Sequence, residues 1–351
     1  MATPDLTVHG AGILGLSAAW AAVRRGVKVR VIEMDRPGAG SSGGTVGALS
    51  PHVPETWNDK KAFQLHSLLM AGDWWQAVTA AGGRDPGYAR TGRLQPVADD
   101  AALALAHIRA ATARTLWQGR ATWAVIPATG APWEPFSASG WLIRDTLSAR
   151  LQPRAALAAL IAALQAAGAE ILSGPGSAPA QSGGPQIWAT GVAGLGALTN
   201  AAGRPAGVGV KGQAALLRHD ARDAPQLFVD GLHIVPHSDG TVAIGSTSEN
   251  EWDDPAATDS RLDTLIDRAR NALPCLITAP VVDRWAGLRP RARSRAPIIG
   301  PWPDRPGHFI LNGGFKIGFG MAPLLAETVI DLVLDGRDSA IPPGFRPETC
   351  L

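Results

Sequence analysis

The chain has few of the residues that support covalent or metal-based stabilisation. Its 351 residues include two cysteines, Cys275 and Cys350, which are too few for a disulfide framework or a cysteine-rich zinc site. No metal site is therefore expected, and a reducing compartment is the default. The longest apolar run, residues 10–23, is shorter than a membrane span and is closed by Arg24 and Arg25. The composition thus argues against a disulfide-rich secreted domain and against a membrane protein.

The chain also lacks an excess of charge of either sign. It carries 32 basic and 30 acidic residues, which leaves a formal net charge of +2. So small a surplus predicts no strong attraction to nucleic acid or to an anionic membrane, and neither is expected as a partner. With 46% hydrophobic residues, the chain can bury a large core and is predicted to form two lobes.

Glycine is abundant, and one group of glycines stands near the start of the chain. A short apolar strand and an apolar helix flank Gly10, Gly12 and Gly15. In such a unit the first glycine makes a tight turn, the second lets the backbone approach a pyrophosphate, and the third permits close helix packing. The helix begins at Ile13 and Leu14, so its amides and positive dipole end are predicted to face the phosphates.

A second predicted strand, residues 27–32, leads to Glu33 and Met34, roughly twenty residues beyond the glycines. A carboxylate at this place can accept both ribose hydroxyls of an adenosine and disfavours a 2′-phosphate. The predicted cofactor at this point is NAD or FAD rather than NADP. Because the motif starts so early, removal of a signal segment would remove the site, and a cytoplasmic location is expected.

The rest of the chain predicts two domains whose segments alternate along the sequence. A Gly/Ser-rich passage over residues 37–52 is typical of a loop that wraps an extended ligand. Residues 168–172 and 186–191 predict strands that rejoin the first sheet, and short β runs within 207–248 predict an antiparallel sheet in a substrate lobe. The Trp/Pro-rich residues 123–141 are expected to be irregular.

The predicted fold class is α/β, α+β overall, with a discontinuous Rossmann-like domain and a mixed, largely antiparallel β-sheet domain. The expected cofactor-binding domain comprises residues 1–85, 145–206 and 284–351, and the expected substrate-binding domain comprises 86–144 and 207–283.

Several further motifs follow the glycine turn in a recognisable order. They are Ser41-Ser42-Gly43-Gly44, residues 187–191, His233-Ile234-Val235-Pro236, residues 285–290 and residues 313–323. Together with the glycine turn, this ordered set resembles the D-amino-acid oxidase superfamily of FAD-dependent oxidoreductases, and within it the glycine oxidase and sarcosine oxidase-like members. The similarity extends over nearly the whole chain.

This resemblance implies FAD as cofactor. It also implies oxidation of the C–N bond of a small amine or amino acid by hydride transfer to flavin N5, and the resulting imine hydrolyses. Oxygen or another acceptor then takes the electrons. Neither cysteine falls where family members attach flavin covalently, so dissociable FAD is expected. The residues expected to bind FAD are Gly10, Gly12, Ile13, Leu14, Gly15, Glu33, Met34, Ser41, Ser42, Gly43, Gly44, Gly47, Leu49, Thr190, Gly191, Gly313, Gly314, Phe315, Ile317 and Gly318.

The resemblance also assigns roles in substrate binding. Arg289 stands where the family pairs an arginine with the substrate carboxylate, and a guanidinium can do so through two parallel hydrogen bonds. Lys316 stands where glycine oxidase relatives carry a second arginine, and a lysine keeps the charge but loses the fork. His233 replaces a tyrosine of the D-amino-acid oxidases. His233 and His52 are candidates to take or share a proton, because histidine titrates near neutrality.

Three alternatives remain open at this stage. They are an NAD-dependent dehydrogenase, which the flavin loop disfavours, a flavoprotein subunit of a larger complex, and a flavin-dependent tRNA-modifying oxidase. Association of identical copies is also left open. Of the twelve tryptophans, Trp252 is expected to shape the substrate pocket.

Overall fold

The computed structural model describes residues 4–177 and 184–351, which form two large sheets and a set of packed helices. The strands are β1 (Leu6–His9), β2 (Val29–Glu33), β3 (Ala48–Leu49), β4 (Arg93–Pro96), β5 (Trp123–Pro127), β6 (Trp141–Asp145), β7 (Ala149–Arg150), β8 (Glu170–Ser173), β9 (Gln186–Trp188), β10 (Gly207–Arg218), β11 (Gln226–Val229), β12 (Leu232–Pro236), β13 (Thr241–Gly245), β14 (Val281–Ala292), β15 (Ile298–Pro301) and β16 (His308–Asn312). The helices are α1 (Ile13–Val23), α2 (Asp59–Gly82), α3 (Asp100–Leu116), α4 (Pro153–Ala166), α5 (Gly191–Ala197), α6 (Ser260–Ala272) and α7 (Gly318–Asp335).

The first sheet has six strands in the order β15-β16-β9-β1-β2-β8. All neighbours are parallel except β15 and β16, and β8 and β9 rejoin β2 and β1 as predicted. Helix α1 follows β1 and packs against α4 and α7, and α2 packs against the same two helices. Ten of the eleven residues of α1 are buried, which explains why its sequence is apolar on every side.

The second sheet has eight strands in the order β14-β10-β13-β12-β11-β4-β6-β5. It is antiparallel except for the pair of β11 and β4. Its strand register divides the side chains between two faces, because successive side chains of a strand alternate. One face, which carries Leu94, Leu227, Ile234 and Ile244, forms a core with α6. The opposite face carries Arg93, Gln95, Phe228, His233, Trp285 and Arg289.

The predicted fold class is confirmed, and one detail of the prediction is wrong. Residues 123–127 form β5, which pairs with β6, although the surrounding prolines and tryptophans had indicated irregular structure. The predicted domain boundary between residues 283 and 284 falls inside β14, which pairs with β10 on both sides of that point. The division into two domains stays a prediction, and residues 1–3 and 178–183 of its ranges lie outside the described residues. No helix of the described residues has the length and apolar character needed to cross a membrane.

Candidate active site

A cavity of about 750 Å³ lies where the carboxyl ends of β1, β2 and β9 meet the polar face of the second sheet. It contains all four predicted substrate-site residues, namely Arg289, Lys316, His233 and His52. The predicted cofactor residues that line it are Gly10, Gly12, Ile13, Leu14, Glu33, Ser41, Ser42, Gly44, Leu49, Thr190, Gly191, Gly314, Phe315, Ile317 and Gly318. Segments far apart in sequence are thus brought to one site.

Five predicted cofactor residues stand outside the lining: Gly15, Met34, Gly43, Gly47 and Gly313. At Gly15, Gly43 and Gly47 an added Cβ would lie 1.9, 2.2 and 1.8 Å from a backbone carbonyl oxygen. These three glycines therefore permit close backbone packing behind the cavity wall. Met34 is 58% exposed. Contact of these residues with a cofactor stays a prediction.

The turn between β1 and α1 is built for close approach of a ligand. Gly10 has φ +100°, and a Cβ there would lie 2.5 Å from the carbonyl oxygen of Ala189. Gly12 precedes the first helical residue and offers bare backbone to the cavity. Ile13 N–H donates to Ser42 Oγ at 3.0 Å, and the first amide bonded to the helix backbone is that of Leu16. The amides of α1 before Leu16 make no bond within the helix and, apart from that of Ile13, fit a phosphate, and phosphate binding here stays a prediction.

Glu33 ends β2 with its carboxylate held in place by the backbone. Its Oε2 accepts from Ala11 N–H at 2.9 Å, and its Oε1 accepts from Asp35 N–H at 3.1 Å. Each oxygen retains a lone pair for a ribose hydroxyl. The structure therefore fits the adenosine end of FAD, and the bare turn at Gly10 and Gly12 fits its pyrophosphate.

The second helix N-terminus at the cavity belongs to α7. Residues 314–320 line the cavity, and Met321 N–H is bonded to the carbonyl of Ile317 at 3.0 Å. Phe315, in the turn before α7, has φ +41°, a strained conformation for a bulky residue. This turn brings backbone amides and a positive helix end to the cavity wall, where they can stabilise negative charge on a bound flavin.

Arg289 is 8% exposed and is fixed by the second sheet. Nη1 donates to Ser246 Oγ at 2.8 Å, and Nη2 donates to the carbonyls of Lys211 and Thr247. The guanidinium crosses the backbone of Gly212, where an added Cβ would lie 2.0 Å from Nη2. Both Nη2 protons are thus committed to the backbone, and Nε is buried without a partner. A ligand is left one Nη1 proton and the hydroxyl proton of Ser246, rather than the free fork that the sequence predicts.

Burial lowers the pKa of Arg289 to about 10, and the charge of Glu249 opposes this effect. The guanidinium is therefore charged at neutral pH. No carboxylate lies within 4.0 Å of it among the described residues. Buried charges in proteins are normally paired, so the site lacks the anion that would balance this cation.

A buried polar network lies behind the carbonyls that hold Arg289. Glu249 accepts from Gln213 Nε2 at 3.0 Å, from Arg261 Nη1 at 2.7 Å and from Thr247 Oγ1. Burial opposes ionisation of Glu249, but hydrogen bonds from Thr247, Gln213 and Arg261 outweigh it and lower its pKa. This network fixes Thr247, whose carbonyl accepts from Arg289.

Lys316 faces the same part of the cavity. Its Nζ lies 5.6 Å from the ring centroid of Phe315, and the Cζ atoms of Arg289 and Arg291 lie 5.9 and 6.0 Å from the same centroid. Burial and the charges of Arg289 and Arg291 lower the pKa of Lys316. Its ammonium therefore gives up a proton more readily than that of a free lysine.

The two predicted histidines differ in their contacts. Gln64 Oε1 accepts from the backbone N–H of His52 at 2.8 Å and from its Nδ1 at 2.5 Å, so the neutral ring carries its proton on Nδ1. Burial and the charges of Lys60 and Lys61 lower the pKa of His52. Burial and the charges of Arg93 and Lys316 lower the pKa of His233 to about 4.

A histidine with a pKa of about 4 is uncharged at neutral pH and is a weak base. The Nδ1 atom of His233 is buried without a hydrogen-bond partner, and its ring packs against Phe228 at 4.7 Å between centroids. His233 is therefore suited to hydrogen bonding rather than to taking a proton from an ammonium group.

The sequence analysis missed several residues of this wall. Arg93, Gln95, Phe228 and Trp285 line the cavity, whereas Trp252, which was expected to shape the pocket, does not. The signal for Arg93 and Gln95 was the alternation of polar and apolar residues along β4, but this strand is only four residues long. Among the described residues, the charged side chains of the lining are Glu33, Arg93, Arg289 and Lys316. No group of three or more metal-ligating side chains occurs in the described ranges.

Fold and site together define a protein with a dinucleotide-binding turn that opens into a pocket lined by the cationic side chains of Arg93, Arg289 and Lys316. A family model described as FAD dependent oxidoreductase matches residues 5–332, and the chain belongs to this family. Membership confirms the predicted superfamily and selects FAD from the two nucleotides that the glycine motif left open. The protein is an FAD-dependent oxidoreductase.

The curated relatives match part of the chain. A glycine oxidase of Pseudomonas aeruginosa is 35% identical over 138 residues, which are 39% of this chain and 38% of that protein. A glycine oxidase of Pseudomonas putida is 33% identical over 140 residues, which are 40% and 38% of the two chains. The matched segment therefore spans well under half the length of these relatives.

Solved structures share the fold over nearly the whole chain. Glycine oxidase from Geobacillus kaustophilus superposes with a TM-score of 0.82 at 21% identity, covering 99% of this chain and 98% of that one. Iminodiacetate oxidase from Chelativorans sp. BNC1 superposes with a TM-score of 0.83 at 20% identity, covering 97% and 98%. These similarities show the architecture.

Proposed function

We propose that the protein oxidises the C–N bond of a small amine that carries a carboxylate. The observation that carries this proposal is the buried, charged Arg289, which lines the cofactor cavity without a carboxylate partner among the described residues. A substrate carboxylate supplies the missing anion. The glycine oxidases that match part of the chain act on a molecule of this class, as their name states.

Different residues of the pocket then bind the substrate carboxylate and affect the proton of its ammonium group. Arg289 Nη1 and the hydroxyl of Ser246 hold the carboxylate, and the nearby charge of Lys316 adds to the attraction. FAD, which the turn at Gly10 and Gly12 and the carboxylate of Glu33 would hold, would supply the acceptor for a hydride from the carbon next to the substrate nitrogen. Before that step the substrate ammonium group must lose a proton, and the pKa of His233, about 4, makes that residue a poor acceptor for it. The imine product then hydrolyses to a carbonyl compound.

Apolar residues complete the pocket. Trp285, Phe315 and Phe319 line the cavity, and at Gly44 an added Cβ would lie 3.4 Å from the Trp285 ring. These side chains limit the space for water around the reacting carbon. Neither Cys275 nor Cys350 belongs to the lining, which supports dissociable rather than covalent FAD.

The test is anaerobic bleaching of the FAD absorbance by glycine, sarcosine, other N-methyl amino acids and D-amino acids. Arg289→Met should raise the half-saturating concentration of the effective substrate at least about tenfold, the loss expected for one charge-assisted hydrogen bond. Arg284→Met is the matched control, because Arg284 is on β14 but points to the opposite face and is exposed. Readmission of air then tests whether oxygen or another acceptor takes the electrons.

Absence of bleaching by every amine in FAD-loaded protein would contradict the proposal. Bleaching that requires a second polypeptide would instead favour the complex-subunit hypothesis. Bleaching that Arg289→Met and Arg284→Met affect equally would remove Arg289 from the carboxylate site.

A further inference from the structure

The sheet face that carries Arg289 also carries a second buried arginine with unused hydrogen-bond donors. Arg93 is 5% exposed and lies on β4, and four strands stand between β4 and the strand of Arg289. Its Nε donates to Asp145 Oδ2 at 2.9 Å, whereas Nη1 and Nη2 have no partner among the described residues. Arg93 lines the cavity, so these two nitrogens are the part of the guanidinium left for a ligand.

Asp145 is a poor substitute for that ligand, because its own acceptors are largely occupied. It is fully buried, and it also accepts from Ser148 N–H at 2.7 Å and from Ser148 Oγ at 3.0 Å. The carboxylate therefore balances the charge of Arg93 and fixes its Nε edge. The rest of the guanidinium remains unoccupied.

Two neighbouring polar side chains are also unsatisfied. Gln95 lies two residues along β4 and therefore on the same face as Arg93, and its Nε2 is buried without a partner. The Nδ1 of His233 is likewise buried without a partner. Both nitrogens belong to side chains that line the cavity, and each has unused hydrogen-bonding capacity. The ring of Phe228 lies near both Arg93 and His233. Its centroid is 5.9 Å from Arg93 Cζ and 4.7 Å from the centroid of the His233 ring.

From this juxtaposition of Arg93, Gln95 and His233 we infer a second anion subsite, which binds a carboxylate at the distal end of the substrate. The inference rests on the proposed function and narrows its substrate class to amines with two carboxylates. One carboxylate is held by Arg289 and the other by Arg93. The lining agrees, since it offers three cations and its one acidic residue, Glu33, lies at the nucleotide turn.

The inference can be tested by binding alone, with FAD-loaded protein and isothermal titration calorimetry. Succinate is compared with butyrate, and glutarate with pentanoate, so that each pair has the same chain length and differs in the second carboxylate. At least one dicarboxylate should bind about tenfold more tightly than its partner, or better, as expected for a charge-assisted contact. A ratio near one for both pairs would overturn the subsite.

Variants then locate the effect. Gln95→Leu removes a donor that bonds to no described residue, so it should fold normally and lower the affinity ratio. The double variant Arg93→Met/Asp145→Asn removes the cation together with its buried partner and should bring the ratio towards one. Arg144→Met is the matched control, because Arg144 is an exposed arginine that pairs with Leu94 and points away from the cavity. If the double variant fails to fold, Gln95→Leu decides the question.

The two proposals fail in different ways. If amines bleach the flavin but neither dicarboxylate is preferred, the second subsite is wrong and amine oxidation stands. If a dicarboxylate is preferred and Gln95→Leu lowers that preference, the subsite stands even when no amine bleaches the flavin. A preference that Gln95→Leu and Arg144→Met leave equally intact counts against the subsite.

Discussion

The substitution Gly212→Ala tests how Arg289 is positioned. An added Cβ would lie 2.0 Å from Nη2 and 2.3 Å from Cζ of Arg289, whereas ordinary contacts begin at 3.4 Å. The guanidinium must therefore move by more than 1 Å, and it cannot do so without losing its bonds to Ser246 Oγ at 2.8 Å and to the carbonyl of Lys211 at 3.2 Å. Each bond to a charged group is worth about 1.5–3 kcal/mol.

We expect the Kd of butyrate for FAD-loaded Gly212→Ala protein to rise by about tenfold to hundredfold. Isothermal titration calorimetry measures this change directly. The free energy of unfolding, from urea titration, should fall by about 1.5–3 kcal/mol, because at least one bond to the charged group is lost. The flavin absorbance should be retained, since Gly212 does not line the cavity.

Gly209→Ala is the matched control on the same strand. Its Cβ would meet Leu288 Cδ1 at 3.1 Å, Val192 Cγ1 at 3.2 Å and Leu288 Cβ at 3.3 Å, so these side chains need to shift by only a few tenths of an ångström. Replacing glycine by alanine at a compatible site changes stability by less than about 1 kcal/mol. If Gly212→Ala binds butyrate as Gly209→Ala does, the guanidinium is not held as described, and the positioning argument is refuted.

Three further predictions concern Arg289, Glu33 and Asp145. In Lys316→Met protein, where Arg289 is the remaining carboxylate-binding cation at this end, butyrate affinity should stay level up to about pH 10 and then fall roughly tenfold per pH unit, because Arg289 has a pKa of about 10 and loses its charge above it; titration calorimetry between pH 7 and 11 measures this. Glu33→Gln should raise the Kd of FAD about tenfold by removing the charge of a ribose acceptor, as measured by flavin fluorescence. Asp145→Asn should cost about 3–5 kcal/mol in urea unfolding, because it leaves Arg93 buried and unpaired, whereas Asp338→Asn, which breaks an exposed pair, should cost under about 1 kcal/mol.

The sequence predicted the cofactor end of the molecule well, because its signals are local. Gly10, Gly12 and Glu33 belong to one βαβ unit, whose turn, helix and strand all fall within about thirty residues. The helical spacing of apolar residues over 62–81 and 155–167 likewise predicts two helices, and α2 (Asp59–Gly82) and α4 (Pro153–Ala166) end within a few residues of these bounds. The strand β5 was missed because its five residues, Trp123–Pro127, are too few to outweigh the prolines and tryptophans around them.

The substrate end was predicted only where a family resemblance marked it. Arg93 and Gln95 join the site through the register of β4 with β11 and β6, which no local pattern encodes. Gly212 matters because β10 pairs with β14 so that the Arg289 side chain reaches back across it. The hydrogen bonds from Arg289 Nη2 to the backbone carbonyls of Lys211 and Thr247 also depend on these strand pairings. Such contacts arise from tertiary structure and leave no trace in spacing or composition.

The cofactor end and the substrate end of the cavity differ in how well they tolerate amino-acid substitutions. The phosphate end is built from backbone amides and bare glycines, so a side chain added there collides with carbonyl groups such as that of Ala189. The substrate end is built from side chains on β4, β12 and β14, strands that are not neighbours in the sheet. A single substitution on β4 can therefore add or remove a charge without disturbing the cofactor turn. Arg93 is such a charge. Its burial is tolerated because Asp145 balances it and accepts from its Nε, while Nη1 and Nη2 are left to bind the ligand.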